Sequence, residues 1–215
     1  MVKISVLTPT IRFEEGLNWP KKSLEKQTFK DFEWIIEKHD PSQPPDFNKA
    51  MNRMIKKAKG ELIVILQDFI KVNKDGLKMF WEAYNKESTV LFTSPVGKTL
   101  EGKHVYWDWR AYKNNEDELD FTEWEIDWAC APKKILYEVG GFDEELDKYW
   151  GFDNVNIGER ISMAGYKIKN LKENKAISLD HNKFIQHPYQ KLRNPDFHNA
   201  RLREIRMGLK LNYLK

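Results

Sequence analysis

The chain has 215 residues, a formal net charge of +3 and one cysteine, Cys130. This length can bury the core of one large domain, and no apolar run approaches the roughly 20 residues that a membrane-spanning helix needs. So small a net charge does not indicate nucleic-acid binding, and a single cysteine excludes both an internal disulfide and a cysteine-based zinc site.

Strand and helix patterns alternate through the first third of the chain. KISVLTP is typical of a buried strand rather than of a signal peptide, so we expect a cytoplasmic protein. The helical pattern GLNWPKKSLEKQTF follows, and then the strand pattern DFEWIIEKHD. A second helix is predicted from Asp46 to Gly60, and ELIVILQD is apolar enough for a strand inside a parallel sheet. This alternation predicts an α/β protein with a doubly wound sheet.

Polar side chains follow each of the three predicted strands, in TPTIR, EKHDPS and QDF. In a doubly wound sheet, ligands bind beyond the carboxyl ends of the strands. We therefore expect Thr8, Asp40 and Asp68 to lie on one rim of the sheet, where a nucleotide would bind.

Several short motifs, in this order, resemble family 2 glycosyltransferases of the GT-A fold. SVLTPTIR, SLEKQTFKDFEWII and NKAMNRMIKKAKGELIVILQD are similar to the nucleotide-binding half of that family, and WACAPKKILYEVGGFDEEL is similar to its acceptor-side segment. YWGFDNVNIGERISMAGYKI resembles the Trp-Gly-x-acid motif of galactosyl- and N-acetylgalactosaminyltransferases. The resemblance implies a GT-A-like, Rossmann-like α/β fold with a mixed, mainly parallel sheet, helices on both faces and a C-terminal helical tail.

The same resemblance implies a division of the chain. Residues 1–190 would form the glycosyltransferase domain, with a nucleotide-sugar-binding half at 1–97 and an acceptor half at 98–190. Residues 191–215 would form a basic C-terminal helix.

The activity implied by the resemblance is transfer of a hexosyl or N-acetylhexosaminyl group from a nucleotide sugar, with UDP expected, to a glycan or other hydroxyl acceptor. Asp153 matches the acid of the Trp-Gly-x-acid motif and would take the proton of the acceptor hydroxyl. Inversion is expected, although the motif also occurs in retaining relatives. The alternative for Asp153 is that it caps the helix that follows it.

The expected metal motif of the family, Asp-x-Asp, is incomplete here. The segment reads Gln67-Asp68-Phe69, with one acid where two are expected. By the resemblance, Asp68 and His181 would hold Mn²⁺ or Mg²⁺ against the diphosphate. If no metal binds, a basic residue such as Arg12, Lys38 or Lys71 could stabilise the diphosphate instead.

The resemblance also suggests which residues contact the two substrates. The nucleotide-sugar contacts would be Thr8, Pro9, Thr10, Arg12, Glu37, Asp40, Asn52, Gln67 and Asp68. The acceptor contacts would be Trp150, Gly151 and Asn154. Trp128 is added from composition, because Trp107, Trp109, Trp124 and Trp128 could include a platform on which a sugar stacks; the alternative is that these tryptophans belong to the core.

The C-terminal segment has the signals of a helix that begins at Asn194-Pro195. Leu202, Ile205 and Leu209 form an apolar stripe among basic residues. One interpretation is that the stripe packs on the domain; the other is that this basic helix binds an acidic partner or a membrane surface.

Two further functions stay open. The incomplete metal motif is also compatible with a catalytically inactive module that binds a nucleotide or a carbohydrate. A sugar nucleotidyltransferase is the other alternative, but TPTIRFEEGLNW lacks the glycine-rich basic loop expected after its first strand.

Overall fold

The computed structural model describes residues 1–11, 13–40, 46–100, 103–113, 118–149, 151–179 and 194–215. Its strands are β1 Ile4–Thr10, β2 Phe32–Lys38, β3 Leu62–Leu66, β4 Ile70–Val72, β5 Val90–Thr93, β6 Val96–Leu100, β7 Lys103–Trp107, β8 Trp128–Pro132, β9 Lys167–Asn170 and β10 Ala176–Ser178. The α-helices are α1 Phe13–Glu25, α2 Phe47–Lys57, α3 Gly76–Lys86, α4 Lys133–Glu138, α5 Asp153–Met163 and α6 Pro195–Arg206. Short 3₁₀ helices cover Trp109–Tyr112, Phe121–Glu123 and Glu144–Lys148.

The main sheet has six strands in the order β2-β1-β3-β8-β5-β9. β1 lies parallel to both β2 and β3, so the three strands predicted from the first third of the chain are confirmed. β8 runs antiparallel to β3 and β5, and β5 pairs in parallel with β9. The fold is therefore a mixed α/β sheet in which five of the six strands described run in one direction.

Helices cover both faces of this sheet. Because side chains alternate along a strand, Ile63 and Ile65 of β3 pack in one core cluster with α2, α4 and α5. Leu62, Val64 and Leu66 of the same strand pack in a second cluster with α1 and α3. Burial on both faces explains why this strand is a continuous apolar run.

A second sheet of four strands, in the order β4-β10-β6-β7, begins just after β3 ends. β10 lies antiparallel to β4 and parallel to β6. The last residue of β10, Ser178, lines the cleft described below.

The C-terminal helix α6 begins where the sequence predicts. Asn194 is its N-cap, and its side chain accepts a hydrogen bond from the backbone N–H of Phe197 at 3.0 Å. Leu202 and Ile205 are buried, whereas Leu209 lies beyond the end of the helix and is 38% exposed. Two of the three residues of the predicted apolar stripe therefore pack on the domain, and a role for the exposed face in binding an acidic partner or a membrane stays a prediction.

Two ion pairs attach α6 to the body of the fold. Arg201 bonds the buried carboxylate of Asp143 at 2.6 Å, and Arg206 bonds Glu159 at 2.8 Å.

Within the ranges that the structure describes, no helix has the length and apolarity needed to cross a membrane.

Candidate active site

A cleft of about 320 Å³ lies beyond the end of β3, between the two sheets and the beginning of α5. Carboxylates contribute much of its polar lining. The acidic side chains are Asp68, Glu125, Asp127, Asp147 and Asp153. Lys98 is the only cationic side chain that the described part of the chain contributes to the lining. A neutral or anionic ligand in this cleft would therefore meet several hydrogen-bond acceptors and one ammonium group.

Asp153 is the first residue of α5, and its side chain lines the cleft. The N-cap of the helix is Phe152, which has φ 71° and no capping side-chain bond. The carboxylate of Asp153 instead accepts a hydrogen bond from the Asn48 amide, with Nδ2 and Oδ1 2.6 Å apart. The N-cap role that the sequence left open for Asp153 is therefore wrong, because another residue occupies that position.

The surroundings of Asp153 favour its protonated form. Burial raises the pKa of Asp153 to about 6, and the nearby charge of Asp147 adds to the rise, while the hydrogen bond from Asn48 opposes it. A carboxyl group with a pKa near neutrality can accept a proton at physiological pH and still return it. This is the electrostatic setting expected of a general base.

Asp147 also lines the cleft, and it receives three hydrogen bonds from the beginning of α2. Its Oδ1 accepts from the backbone N–H of Asn48 at 2.8 Å and from the Asn48 side chain at 2.9 Å, and its Oδ2 accepts from the backbone N–H of Lys49 at 3.0 Å. Asp46, at the sequence position of the N-cap, makes no such bond. The first turn of α2 is therefore capped from 99 residues away along the chain.

The end of β3 supplies Gln67, Asp68 and Phe69 to the cleft. The Thr10 hydroxyl, at the end of β1, donates to Asp68 Oδ2 at 2.8 Å and so connects the two strand ends. Phe69 has φ 59°, a backbone conformation that is rare for a bulky side chain. Phe69 and Phe152 are the two non-glycine residues with positive φ among those described, and both line this cleft. Such backbone strain tends to concentrate at functional sites.

The opposite wall carries Glu125, Asp127 and Lys98. The ammonium group of Lys98 lies 3.5 Å from Asp127 Oδ2. Burial raises the pKa of Glu125, and the charge of Asp127 raises it further. Glu125 is thus another carboxyl group of this cleft whose surroundings favour the protonated form.

The residues described do not form a complete metal site by themselves. No three His, Cys, Asp or Glu side chains among them lie close enough together to hold an ion. Asp68, at the end of β3, has the carboxylate oxygens that Mn²⁺ or Mg²⁺ prefers, and its role as a metal ligand stays a prediction. The second ligand suggested by the resemblance, His181, lies outside the described residues, as do Arg12 and Trp150.

The cleft brings together residues that are far apart in the sequence. The predicted site residues that line it are Gln67, Asp68, Gly151, Asp153 and Asn154. Asn154 is held by a hydrogen bond from its side-chain amide to the carbonyl of Trp124 at 3.2 Å. Thr10 reaches the cleft through its bond to Asp68.

Several predicted nucleotide contacts lie elsewhere. Thr8 and Pro9 are buried in β1, and the Thr8 hydroxyl accepts a hydrogen bond from Trp34 Nε1 at 2.9 Å. Glu37, at the end of β2, is held by the side chain of Arg53 at 2.7 Å. Asp40 is exposed beyond the end of β2 and is not part of the lining.

Two other predicted contacts have structural partners. Asn52 is 1% exposed and exchanges hydrogen bonds with the backbone of Phe142, at 2.8 Å and 2.9 Å. Trp128 is fully buried in β8, where it packs against Phe80 with ring centroids 4.7 Å apart. A fully buried indole has no face for a sugar, so the predicted stacking role of Trp128 does not fit its position.

The sequence did not indicate Asn48, Asp147 or Lys98. Asn48 and Asp147 are on different elements and meet only through the tertiary fold. Lys98 lies in a strand of the second sheet whose pattern was not recognised. The one available signal for Asp147 was its position three residues before the Trp-Gly turn, within the acidic run DEELD.

Comparison with known proteins identifies the fold. No protein-family model matches the chain, and no curated protein sequence matches it. The crystal structure of S. aureus TarS superposes with a TM-score of 0.64 at 17% identity, over 83% of this chain and 37% of that one. TarS 1–349 in complex with UDP gives a TM-score of 0.62 at 16% identity, over 86% of this chain and 64% of that one.

TarS 1–349 in complex with UDP-GlcNAc gives a TM-score of 0.62 at 15% identity, over 83% of this chain and 58% of that one. The chain thus spans less than two thirds of the length of these TarS structures. At this identity the likeness concerns the fold alone. The chain has the mixed α/β fold of a GT-A glycosyltransferase, in agreement with the fold predicted from the sequence.

Proposed function

We propose that this protein transfers a sugar from a nucleotide-sugar donor to an acceptor hydroxyl, with Asp153 as the general base. The observation that carries the proposal is the position of Asp153, half-buried in the cleft, with its carboxylate bonded to Asn48 at 2.6 Å. The GT-A fold supports a nucleotide-sugar donor, and the TarS complexes with UDP and UDP-GlcNAc support UDP as the nucleotide. The donor sugar would be a hexose or an N-acetylhexosamine.

The reaction follows from the chemistry of the acceptor. A sugar hydroxyl is a weak nucleophile, so a carboxylate within hydrogen-bond reach accepts its proton as the new bond forms. The acceptor oxygen bonds to the anomeric carbon, the bond from that carbon to the diphosphate oxygen breaks, and the nucleoside diphosphate leaves. If the donor binds with its diphosphate on the side of the anomeric carbon opposite Asp153, the attack is in line and inverts the anomeric centre.

The leaving diphosphate needs its charge balanced. A divalent ion, Mn²⁺ or Mg²⁺, would offset that charge when bound, held by Asp68 and His181. Thr10 orients Asp68 through its hydroxyl, and Lys98 provides an ammonium group on the opposite wall. These side chains would fix the diphosphate end of the donor while Asp153 faces the acceptor.

A melting-shift screen tests donor binding. A ligand that binds only the native state at about 100 times its Kd adds about 2.7 kcal/mol of stability, which raises Tm by roughly 5–10 °C for a domain of this size. We expect UDP-sugars to give the largest shift among UDP-, GDP-, dTDP- and CDP-sugars. No shift with any of them, with and without Mn²⁺, would overturn the proposal.

A catalytically inactive binding module is the second candidate, and Phe69 is the observation that favours it. Phe69 follows Asp68 where a second metal-binding acid is expected, and it is only 7% exposed. Tight binding of a nucleotide sugar with no release of nucleoside diphosphate, under every divalent metal, would favour this candidate over the enzyme.

A further inference from the structure

Asp147 has more hydrogen bonds than a cap of α2 requires. Two backbone N–H groups, of Asn48 and Lys49, satisfy the first turn of the helix. The third bond, from the Asn48 side chain at 2.9 Å, adds nothing to the cap. It fixes the orientation of an amide whose other partner is Asp153.

Asn48 connects the two carboxylates through one atom. Its Nδ2 lies 2.9 Å from Asp147 Oδ1 and 2.6 Å from Asp153 Oδ1. The two oxygens are therefore within about 5.5 Å of each other, the sum of these distances, which is a range in which like charges affect each other's protonation. Asn48 is 1% exposed, so water does not compete for this amide.

We propose that Asp147 is a positioning residue of the active site: it orients the Asn48 amide, which in turn orients the carboxylate of Asp153. This inference rests on the proposed function of Asp153. Asp147 does not itself meet the acceptor proton, because its oxygens are occupied by the first turn of α2.

The two neighbours of Asp153 have opposite effects on it. The negative charge of Asp147 raises the pKa of Asp153, whereas the hydrogen bond from Asn48 stabilises the carboxylate and lowers that pKa. The charge of Asp143 raises the pKa of Asp153 by a smaller amount, although Arg201 pairs with Asp143. The other charged groups that face the cleft from the described elements are Asp68, Lys98, Glu125 and Asp127.

Opposite shifts make the proposal testable with two substitutions. Asp147→Asn removes the charge and keeps one oxygen that can accept a backbone N–H of α2, although its amide NH₂ cannot replace the second acceptor oxygen. We expect it to lower the pKa of Asp153 by about one unit. Asn48→Ala removes the hydrogen bond and should raise that pKa by about one unit.

The measurement is the titration of Asp153 by carboxyl ¹³C NMR on the full chain, with its signal assigned from the spectrum of Asp153→Asn. The acid limb of the pH–rate profile for UDP release from the best UDP-sugar should move in the same direction as the titration. Glu145→Gln is the matched control, because Glu145 lies on the same 3₁₀ helix but pairs with Lys148 at the surface. It should leave both readouts unchanged.

An Asp153 titration that stays within about 0.3 units of wild type in Asp147→Asn, or that moves as much in Glu145→Gln, would overturn the proposal. If Asp147→Asn does not fold, Asn48→Ala is the deciding variant. An Asp153 pKa that does not rise in Asn48→Ala would refute the connection between Asn48 and Asp153. The NMR titration needs no donor, so its failure is distinguishable from a failure of the proposed glycosyl transfer.

Discussion

Replacing Asp153 with Asn should make the protein more stable at neutral pH. Burial raises the pKa of Asp153 from 3.8 to about 6. A shift of one pKa unit corresponds to about 1.36 kcal/mol. Ionised Asp153 therefore destabilises the native state by about 3 kcal/mol above pH 6. The favourable interaction of the Asp153 charge with the N-terminus of α5 offsets about 0.3–1 kcal/mol of this destabilisation. Asn has nearly the same shape as Asp but carries no charge. We expect a net gain of about 2 kcal/mol, or roughly 4–8 °C in Tm.

The pH dependence of this gain follows from the sign of the shift. Because the folded-state pKa is raised, the stability contributed by protonated Asp153 is complete below the unfolded pKa and is lost as the pH rises through the folded value. The difference in the free energy of unfolding between Asp153→Asn and wild type should therefore be largest near about pH 7.5, and it should be less than half as large at about pH 4.5.

Calorimetry at these two pH values measures the effect, and Asp196→Asn is the matched control. Asp196 is also in the first turn of a helix, α6, but it is exposed. Neutralising it should give no gain, because an exposed acid near a helix N-terminus is stabilising. Equal or lower stability of Asp153→Asn at about pH 7.5 would refute the reasoning that burial makes this carboxyl basic.

Two further predictions concern the metal and the C-terminal helix. Asp68→Ala should abolish the extra melting shift that Mn²⁺ adds to UDP and leave the Tm of the free protein within a few degrees; an unchanged Mn²⁺ effect would contradict the assignment of Asp68 as a ligand. Arg201→Ala should lower the free energy of unfolding by about 3–5 kcal/mol, because it leaves the carboxylate of Asp143 buried without its charged partner. The exposed Arg203→Ala is the control, and a loss for Arg201→Ala no larger than for this control in urea unfolding would contradict the prediction.

The first third of the fold could be predicted because its signals are local. β1, β2 and β3 are apolar runs separated by amphipathic helices, and parallel strands buried on both faces leave this trace in a sequence. The helix predicted from Asp46 to Gly60 is α2, Phe47–Lys57, and the boundaries differ by a turn or less. The beginning of α6 could also be predicted from local signals, since Asn194 is an N-cap residue and Pro195 is favoured in the first turn of a helix.

The second sheet and much of the site could not be predicted, because they depend on contacts between distant segments. β4 and β10 have three residues each, too few to show a period. Asp147 and Asn48 are 99 residues apart, and no pattern in either segment indicates the other. Trp128 was misassigned because composition alone does not distinguish a buried tryptophan from one that lies in a binding cleft.

The most direct test of the central claim measures UDP release from the UDP-sugar that gives the largest melting shift. It compares the rate of the wild type with that of Asp153→Asn. With Asp153 as general base, the variant should bind that donor with unchanged Kd and lose at least about 100-fold in turnover, since a general base typically contributes about 10²–10⁴-fold. Asp196→Asn should keep the wild-type rate. Turnover by Asp153→Asn within a few-fold of wild type would contradict the claim and transfer the role of base to Glu125 or Asp127.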